Sequence, residues 1–252
     1  MFNPRVIPCL LLRGRGLVKG IRFKDYRYVG DPINAVHIFN EKEVDELAFM
    51  DITATEENRT PDLSHIRQIA DECYMPFSVG GGIRKIENIR DILNAGAEKV
   101  ILNTAAIESP GLIRQAADKF GSQCIVASID VKKNILGKYE VITHSGTKKT
   151  GKDPVTYARE LMEEGAGEIL LTSIDREGTM EGYDLNLTKI VSEALTIPVI
   201  ASGGAGKNKD FKDAVEAGAS AAAAGSMFVF HGRRRAVLIN YPDKKELKEL
   251  FP

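Results

Sequence analysis

Displaced by 122 residues, the sequence matches itself at a series of landmarks. Glu46 falls on Glu168, Pro76 on Pro198, Gly81-Gly82 on Gly203-Gly204, Ala95-Gly96-Ala97 on Ala217-Gly218-Ala219, and Thr104 on Ser226. One register held across five landmarks implies a duplicated half. The fold must then be built from two like units, about 1–121 and 122–252, joined without a linker into one domain over 1–252. Each unit carries four short runs rich in Val, Ile, Leu and Ala: 6–12, 47–52, 76–79 and 100–102, then 125–131, 169–172, 198–201 and 221–224. Runs so uniformly apolar are expected of parallel strands buried on both faces. Between them lie helix candidates that stop at glycine: 87–94 before Gly96, 110–120 before Gly121, 154–164 before Gly165, and 209–217 before Gly218. Eight strands alternating with about eight helices predict an α/β fold, a (β/α)8 TIM barrel made of four plus four units. An open doubly wound sheet is the competing architecture. It would place a dinucleotide fingerprint after the first strand, whereas Arg13-Gly14-Arg15-Gly16 leads into extended-looking sequence.

Charge and cysteine usage narrow the function classes. The 34 Lys and Arg residues balance 35 Asp and Glu, so bulk electrostatics offer nucleic acid or an anionic membrane no foothold. No apolar run reaches the roughly 18 residues of a membrane span. The opening Met1-Phe2-Asn3-Pro4-Arg5 carries no secretory pattern, and a cytoplasmic location is expected. Cys9, Cys73 and Cys124 have neither metal-ligand spacing nor an even disulfide set, and Cys9 and Cys124 read as apolar fillers. His37, His65 and His231 share no spacing with Cys or carboxylates, so no metal site and no cofactor is read.

The 23 glycines are not evenly spread. Gly80-Gly81-Gly82 directly follows the third strand and Ser202-Gly203-Gly204-Ala205-Gly206 the seventh, at the strand ends where barrels build active sites. Consecutive glycines either make tight turns or aim several N–H groups at an anion. Each cluster has a companion after the next strand, Asn103-Thr104 and Gly225-Ser226, which adds a hydroxyl beside further N–H groups. Two such cradles related by the repeat predict a ligand with a phosphate at each end, bound by Gly81, Gly82, Asn103, Thr104, Gly203, Gly204, Gly225 and Ser226.

These residues resemble a known family. Arg5-Val6-Ile7-Pro8-Cys9-Leu10, Asp51-Ile52-Thr53-Ala54 and Val79-Gly80-Gly81-Gly82-Ile83-Arg84 are similar to the cyclase (HisF) subunit of imidazole glycerol phosphate synthase. So are Phe120-Gly121-Ser122-Gln123-Cys124, Glu168-Ile169-Leu170-Leu171-Thr172 and Pro198-Val199-Ile200-Ala201-Ser202-Gly203-Gly204-Ala205-Gly206. The resemblance covers residues 5 to about 228. It implies a barrel in heterodimer with a glutaminase (HisH-like) subunit. Ammonia would cross the barrel and attack a small ribulosyl nucleotide precursor with two phosphates, giving imidazole glycerol phosphate and an aminoimidazole ribonucleotide. It implies two aspartates at the ends of strands one and five as general acid and base.

Asp130 matches the strand-five aspartate, but the strand-one position is Leu11, since 126–130 aligns with 7–11. Leucine cannot transfer a proton, so weakened cyclase activity is expected. Lys19 stands at the family's loop-lysine position, and Glu177 stands where the family usually carries Asp. Arg5, Glu46, Lys99 and Glu168 each stand just before a strand. They read either as an ordinary solvated rim or, on the resemblance, as a ring of salt bridges gating the ammonia path. Glu98 and Gln123 match positions near the family's glutaminase interface. The segments 5–12 and 28–35 resemble a HisF-like branch linked to surface polysaccharide biosynthesis. There ammonia is passed to a third protein, a sugar amidotransferase. The alternatives are a functional cyclase in histidine biosynthesis, with Asp51 or Glu177 as its second acid, and a non-catalytic docking or activating subunit.

Asp51 itself reads as either a loop-fixing or a substrate-binding carboxylate. His144 reads as a surface histidine in a small hairpin lid over 139–150. Arg233-Arg234-Arg235 reads as a solvated face.

Overall fold

The eight apolar runs become eight parallel strands that close into a barrel in the computed structural model, which describes residues 4–251. They are β1 (Arg5–Arg13), β2 (Leu47–Asp51), β3 (Phe77–Gly80), β4 (Lys99–Leu102), β5 (Ile125–Lys133), β6 (Glu168–Ser173), β7 (Val199–Ser202) and β8 (Ala221–Ala224). Each pairs with the next, and β8 pairs with β1 from Arg5↔Ala221 to Pro8↔Ala224. That last pairing removes the open edges a doubly wound sheet would keep. Residues 1–3, part of the N-terminal reading, lie outside the described residues.

Helices α1 (Pro32–Glu41), α2 (Leu63–Glu72), α3 (Ile86–Asn94), α4 (Leu112–Phe120), α5 (Pro154–Glu163), α6 (Leu185–Ser192) and α7 (Asn208–Glu216) cover the outside, and α8 (Lys244–Leu250) follows near the end of the chain. Several start where the sequence supplies a cap. The side chains of Asp31, Asp62 and Asp153 each accept two N–H groups of the helix that follows, worth about 1 kcal/mol apiece. Proline opens α1 and α5, where its missing N–H has no partner to lose. The 110–120 candidate begins only at Leu112. A separate short helix, Thr104–Glu108, precedes it, and Gly111 turns the chain between them with φ of 80°.

Two apolar layers result. The outer one lies between strands and helices and includes the fully buried Phe39, Phe49, Phe211 and Phe228. The inner one fills the barrel with Ile7, Val126, Leu170, Ile200, Ala221 and Ala223 among others. Two insertions rise over the C-terminal mouth. After β1 the strands Gly16–Ile21 and Lys24–Gly30 form an antiparallel hairpin. After β5 the strand Tyr139–Thr143 folds back on its end. Among the described residues, no helix is long and apolar enough to cross a membrane.

Strand register turns the sequence repeat into geometry. Leu11 pairs with Met50 in the first half and Asp130 with Thr172 in the second. Met50 and Thr172 are themselves related by the 122-residue offset, so Leu11 and Asp130 are symmetry equivalents. The opposite neighbours agree, since Pro8 pairs with Ala224 and Ala127 with Leu102, again 122 residues apart.

Candidate active site

Loops at the C-terminal ends of the strands surround a cavity of about 450 Å³. Its wall includes Leu11, Lys19, Asp51, Asp130 and Glu177, together with Gly81, Gly82, Asn103 and Thr104. These residues come from both halves of the chain and meet only because the barrel closes.

Asp130 is half-buried in the cavity wall, and desolvation there, with a smaller push from the Glu177 charge, raises its carboxyl to about 7 against a hydrogen bond from Asn103 that lowers it. The Asn103 side-chain amide donates to Asp130 at 2.8 Å. Asn103 therefore orients the carboxyl as well as bordering the first glycine cluster. An acid with its midpoint near neutrality can both give and take a proton at working pH. At the equivalent place in the other half, Leu11 offers no titratable group.

Lys19 and Glu177 form a buried ion pair, their residues 4% and 8% exposed. The spacing between them is 158 residues, and the hairpin after β1 carries the lysine to the end of β6. Asp51 is engaged differently. Its carboxylate accepts the Arg59 guanidinium at 2.6 and 3.0 Å and the backbone N–H groups of Thr53 and Ala54 at 3.2 and 3.1 Å. Those bonds hold the loop after β2 in shape and occupy the oxygens a substrate would need. Burial pushes the Cys9 thiol up to about 12, so it stays protonated in the cavity wall.

The two glycine clusters differ in access. In the first, Gly81 and Gly82 take φ of 102° and 66°, and a side chain on either would strike the carbonyl of Asp51 or Arg59. In the second, Gly203 and Gly204 take φ of 89° and 118° and abut Ser173 and Gly182. Each cluster is thus pressed against the preceding loop, a close approach that only glycine permits. Gly81, Gly82, Asn103 and Thr104 border the cavity, whereas of the second set only Gly225 reaches it. The Ser226 hydroxyl is buried without a hydrogen-bond partner.

His144 is not the plain surface residue its loop suggests. Its backbone N–H donates to the Thr104 hydroxyl at 3.2 Å, its ring lies 3.4 Å from Glu108, and it lines the cavity beside Ser145. Phe23 and Tyr26 from the hairpin after β1 line the same cavity, with the Phe23 ring packed against Gly146 of the other insertion. None carries a motif, and only the packing of the two insertions brings them in. Arg233 and Arg234 are exposed.

At the other mouth the four charged residues meet. Arg5 pairs with Glu46 and, at 2.8 Å, with Glu168; Lys99 pairs with Glu46 at 3.1 Å and Glu168 at 3.3 Å. Cations and anions alternate around a closed ring, each carboxylate shared by two cations. Glu98 and Gln123 are exposed at the same end, just before β4 and β5. Among the described residues no group of three or more His, Cys, Asp or Glu could hold a metal ion.

Residues 5–234 match the family model described as histidine biosynthesis protein. A Pseudomonas aeruginosa protein provisionally named imidazole glycerol phosphate synthase subunit hisF2 is 51% identical over 248 residues, covering 98% of this chain and 99% of its own. A Leptospira interrogans protein provisionally named imidazole glycerol phosphate synthase subunit HisF is 49% identical over 253 residues, all of both chains. The imidazole glycerol phosphate synthase subunit HisF of Alkaliphilus metalliredigens is 46% identical over 232 residues, 92% of each. The match over residues 5–234 and the near-full-length identities of 46–51% show that the chain belongs to the histidine biosynthesis family, among its HisF-type members.

Proposed function

We propose that this subunit receives ammonia from a glutaminase partner and delivers it through the barrel to a phosphorylated substrate in the C-terminal cavity. The observation that carries this reading is the closed ring of Arg5, Glu46, Lys99 and Glu168 at the mouth opposite Asp130. Between the two lies an apolar interior. Neutral ammonia can enter such an interior at small cost, whereas ammonium, water clusters and ions cannot shed their hydration there. A ring of paired charges is therefore a fitting gate, and the exposed Glu98 and Gln123 belong to the face where the glutaminase docks.

Leu11 favours a second element of the reading. With one carboxyl missing from the symmetric pair, cyclisation is weakened. Ammonia then serves sugar amidination by a third protein, the amidotransferase of a surface polysaccharide route. If cyclisation survives, as in histidine biosynthesis, Glu177 is better placed than Asp51 as the second acid, because Asp51 is saturated by Arg59 and two amides.

The test compares two ammonia sources. Arg5→Ala in the complex with the glutaminase is expected to lower glutamine-driven turnover by about tenfold while ammonium-driven turnover changes little. The underlying cost is about the 1.4 kcal/mol that one decade represents. Equal rates from glutamine before and after the change would remove the gate. If added ammonium never supports turnover, yet the barrel still accelerates glutamine hydrolysis by its partner, the docking or activating role is the correct one.

A further inference from the structure

The C-terminal face carries a charge and an exposed apolar surface that the cavity itself does not use. Three insertions build its rim: residues 13–30 after β1, 131–152 at the end of β5, and 230–237 beyond β8. They hold 15 Lys and Arg residues against only Asp25 and Glu140, although the whole chain balances 34 against 35. The remainder of the molecule is therefore acidic, and the basic charge is concentrated at one end. The insertions are tied to one another and to the loop after β6. Arg27 lies over the Phe230 ring at 4.8 Å, Arg235 donates to the Thr179 carbonyl at 3.2 Å, the Lys133 N–H donates to Asp175 at 2.8 Å, and the Tyr139 hydroxyl donates to Asp184 at 2.8 Å. Among the described residues eight large apolar side chains are exposed. Seven stand on this face, among them Ile21 and Tyr28 after β1, Ile135 and Leu136 after β5, and Val237 and Leu238 after β8. The eighth, Tyr74, precedes β3 at the opposite end. Ile135 is fully exposed and Leu136 is 77% exposed, at the tip of a well-made hairpin. There the Asn134 side chain accepts the N–H groups of Leu136 and Lys138 at 2.9 and 3.1 Å.

We propose that this face is a second docking surface, and that its occupant is the protein that takes the ammonia, through an acidic surface with a recess for the Ile135–Leu136 tip. This inference rests on the reading that ammonia is passed to a third protein. Solvent-facing aliphatic side chains on a braced hairpin, flanked by Lys132, Lys133 and Lys138, combine an anchor to be buried with long-range attraction to an acidic partner. A small phosphorylated substrate or a nucleic acid accounts for the cations but not for the aliphatic side chains between them. A second copy in a two-fold contact would set the basic rims against each other. A lipid surface on the same insertions would hold anionic headgroups over the cavity mouth and repel a phosphorylated substrate. A protein seated here leaves the glutaminase face free, because Arg5, Glu98 and Gln123 lie at the other end of the barrel.

Biolayer interferometry of the barrel–glutaminase complex against the sugar amidotransferase of the same organism tests it. Ile135→Ser/Leu136→Ser is expected to raise Kd by about tenfold or more. Lys132→Glu/Lys138→Glu is expected to slow association by about tenfold at low ionic strength and by less at high. Both variants change only exposed side chains, so thermal unfolding and glutamine hydrolysis in the complex are expected to stay as in the wild type. Unchanged affinity in the first variant, or an unmoved association rate in the second, overturns the docking surface and leaves the third-protein reading standing. No binding of the amidotransferase to the wild-type complex overturns both, so the two failures are distinguishable. Co-sedimentation of the wild type, and not of the Ile135→Ser/Leu136→Ser variant, with vesicles of phosphatidylglycerol and phosphatidylcholine in equal parts overturns the protein partner in favour of a membrane.

Discussion

Asp130→Asn lowers ammonium-driven turnover by about 10²–10⁴-fold, the range expected when a positioned acid or base is lost. Asparagine keeps the shape and the contact with Asn103 but cannot exchange a proton at neutral pH. Steady-state kinetics with excess ammonium salt and no glutaminase isolates this step from gating. Leu11→Asp in the same assay raises turnover, because it restores a carboxyl at the position equivalent to Asp130. A wild-type rate in Asp130→Asn would move the proton transfer elsewhere in the cavity, with Glu177 the next group to examine.

The same substitution has a signature in stability. Burial holds the Asp130 carboxyl at about 7 in the folded chain, above its ordinary value of 3.8. Between those two pH values the native state keeps a proton that the unfolded chain has released. Stability therefore falls as pH rises from about 4 through 7, and the contribution is flat above that. Asp130→Asn lacks this slope, so urea unfolding at pH 5 and pH 8 separates the two proteins. Parallel curves for wild type and variant would show that the carboxyl titrates normally.

Cutting the Lys19–Glu177 pair on one side has the largest expected effect on stability. Either Lys19→Met or Glu177→Gln leaves a buried charge without its partner, a loss of about 3–5 kcal/mol. For a chain of this size each kcal/mol moves the melting temperature by roughly 2–4 °C. The double variant Lys19→Met/Glu177→Gln recovers most of the loss, since no lone charge remains. Urea unfolding of the two single variants and the double variant closes the cycle. Purely additive effects would mean that the two side chains do not act as a pair.

Much of the architecture is legible in the residues themselves. Uniform apolar runs and glycine stops are local signals, and each acts where it stands. Even the loss of one carboxyl at Leu11 is visible, because the repeat supplies Asp130 as an internal standard. The hairpin after β1 is harder to read. Its tip is Arg22-Phe23, both with positive φ, where Asn-Gly would be the usual signal. That strained conformation is held by distant partners: the Arg22 N–H bonds to Glu177 and its guanidinium to the Asp175 carbonyl at 3.0 Å. A one-dimensional reading has no access to such compensation.

The charged ring and the glycine clusters divide along the same line. Four charges placed before four strands follow from the sequence, and so do two glycine clusters after two others. The sequence by itself thus determined the barrel, its duplication, the ends at which each group would stand, and the equivalence of Leu11 with Asp130. Only the tertiary structure decided that the four charges close into one ring, that Asp51 is tied to Arg59, and that Lys19 reaches Glu177. It also decided that Gly81 and Gly82 border the cavity while their symmetry mates Gly203 and Gly204 do not. The physical reason is reach. Strand period and turn chemistry are set within a few residues, whereas, apart from Asp51 and Arg59, eight residues apart, these pairings depend on side chains 41 to 163 residues apart meeting in a shared enclosed space.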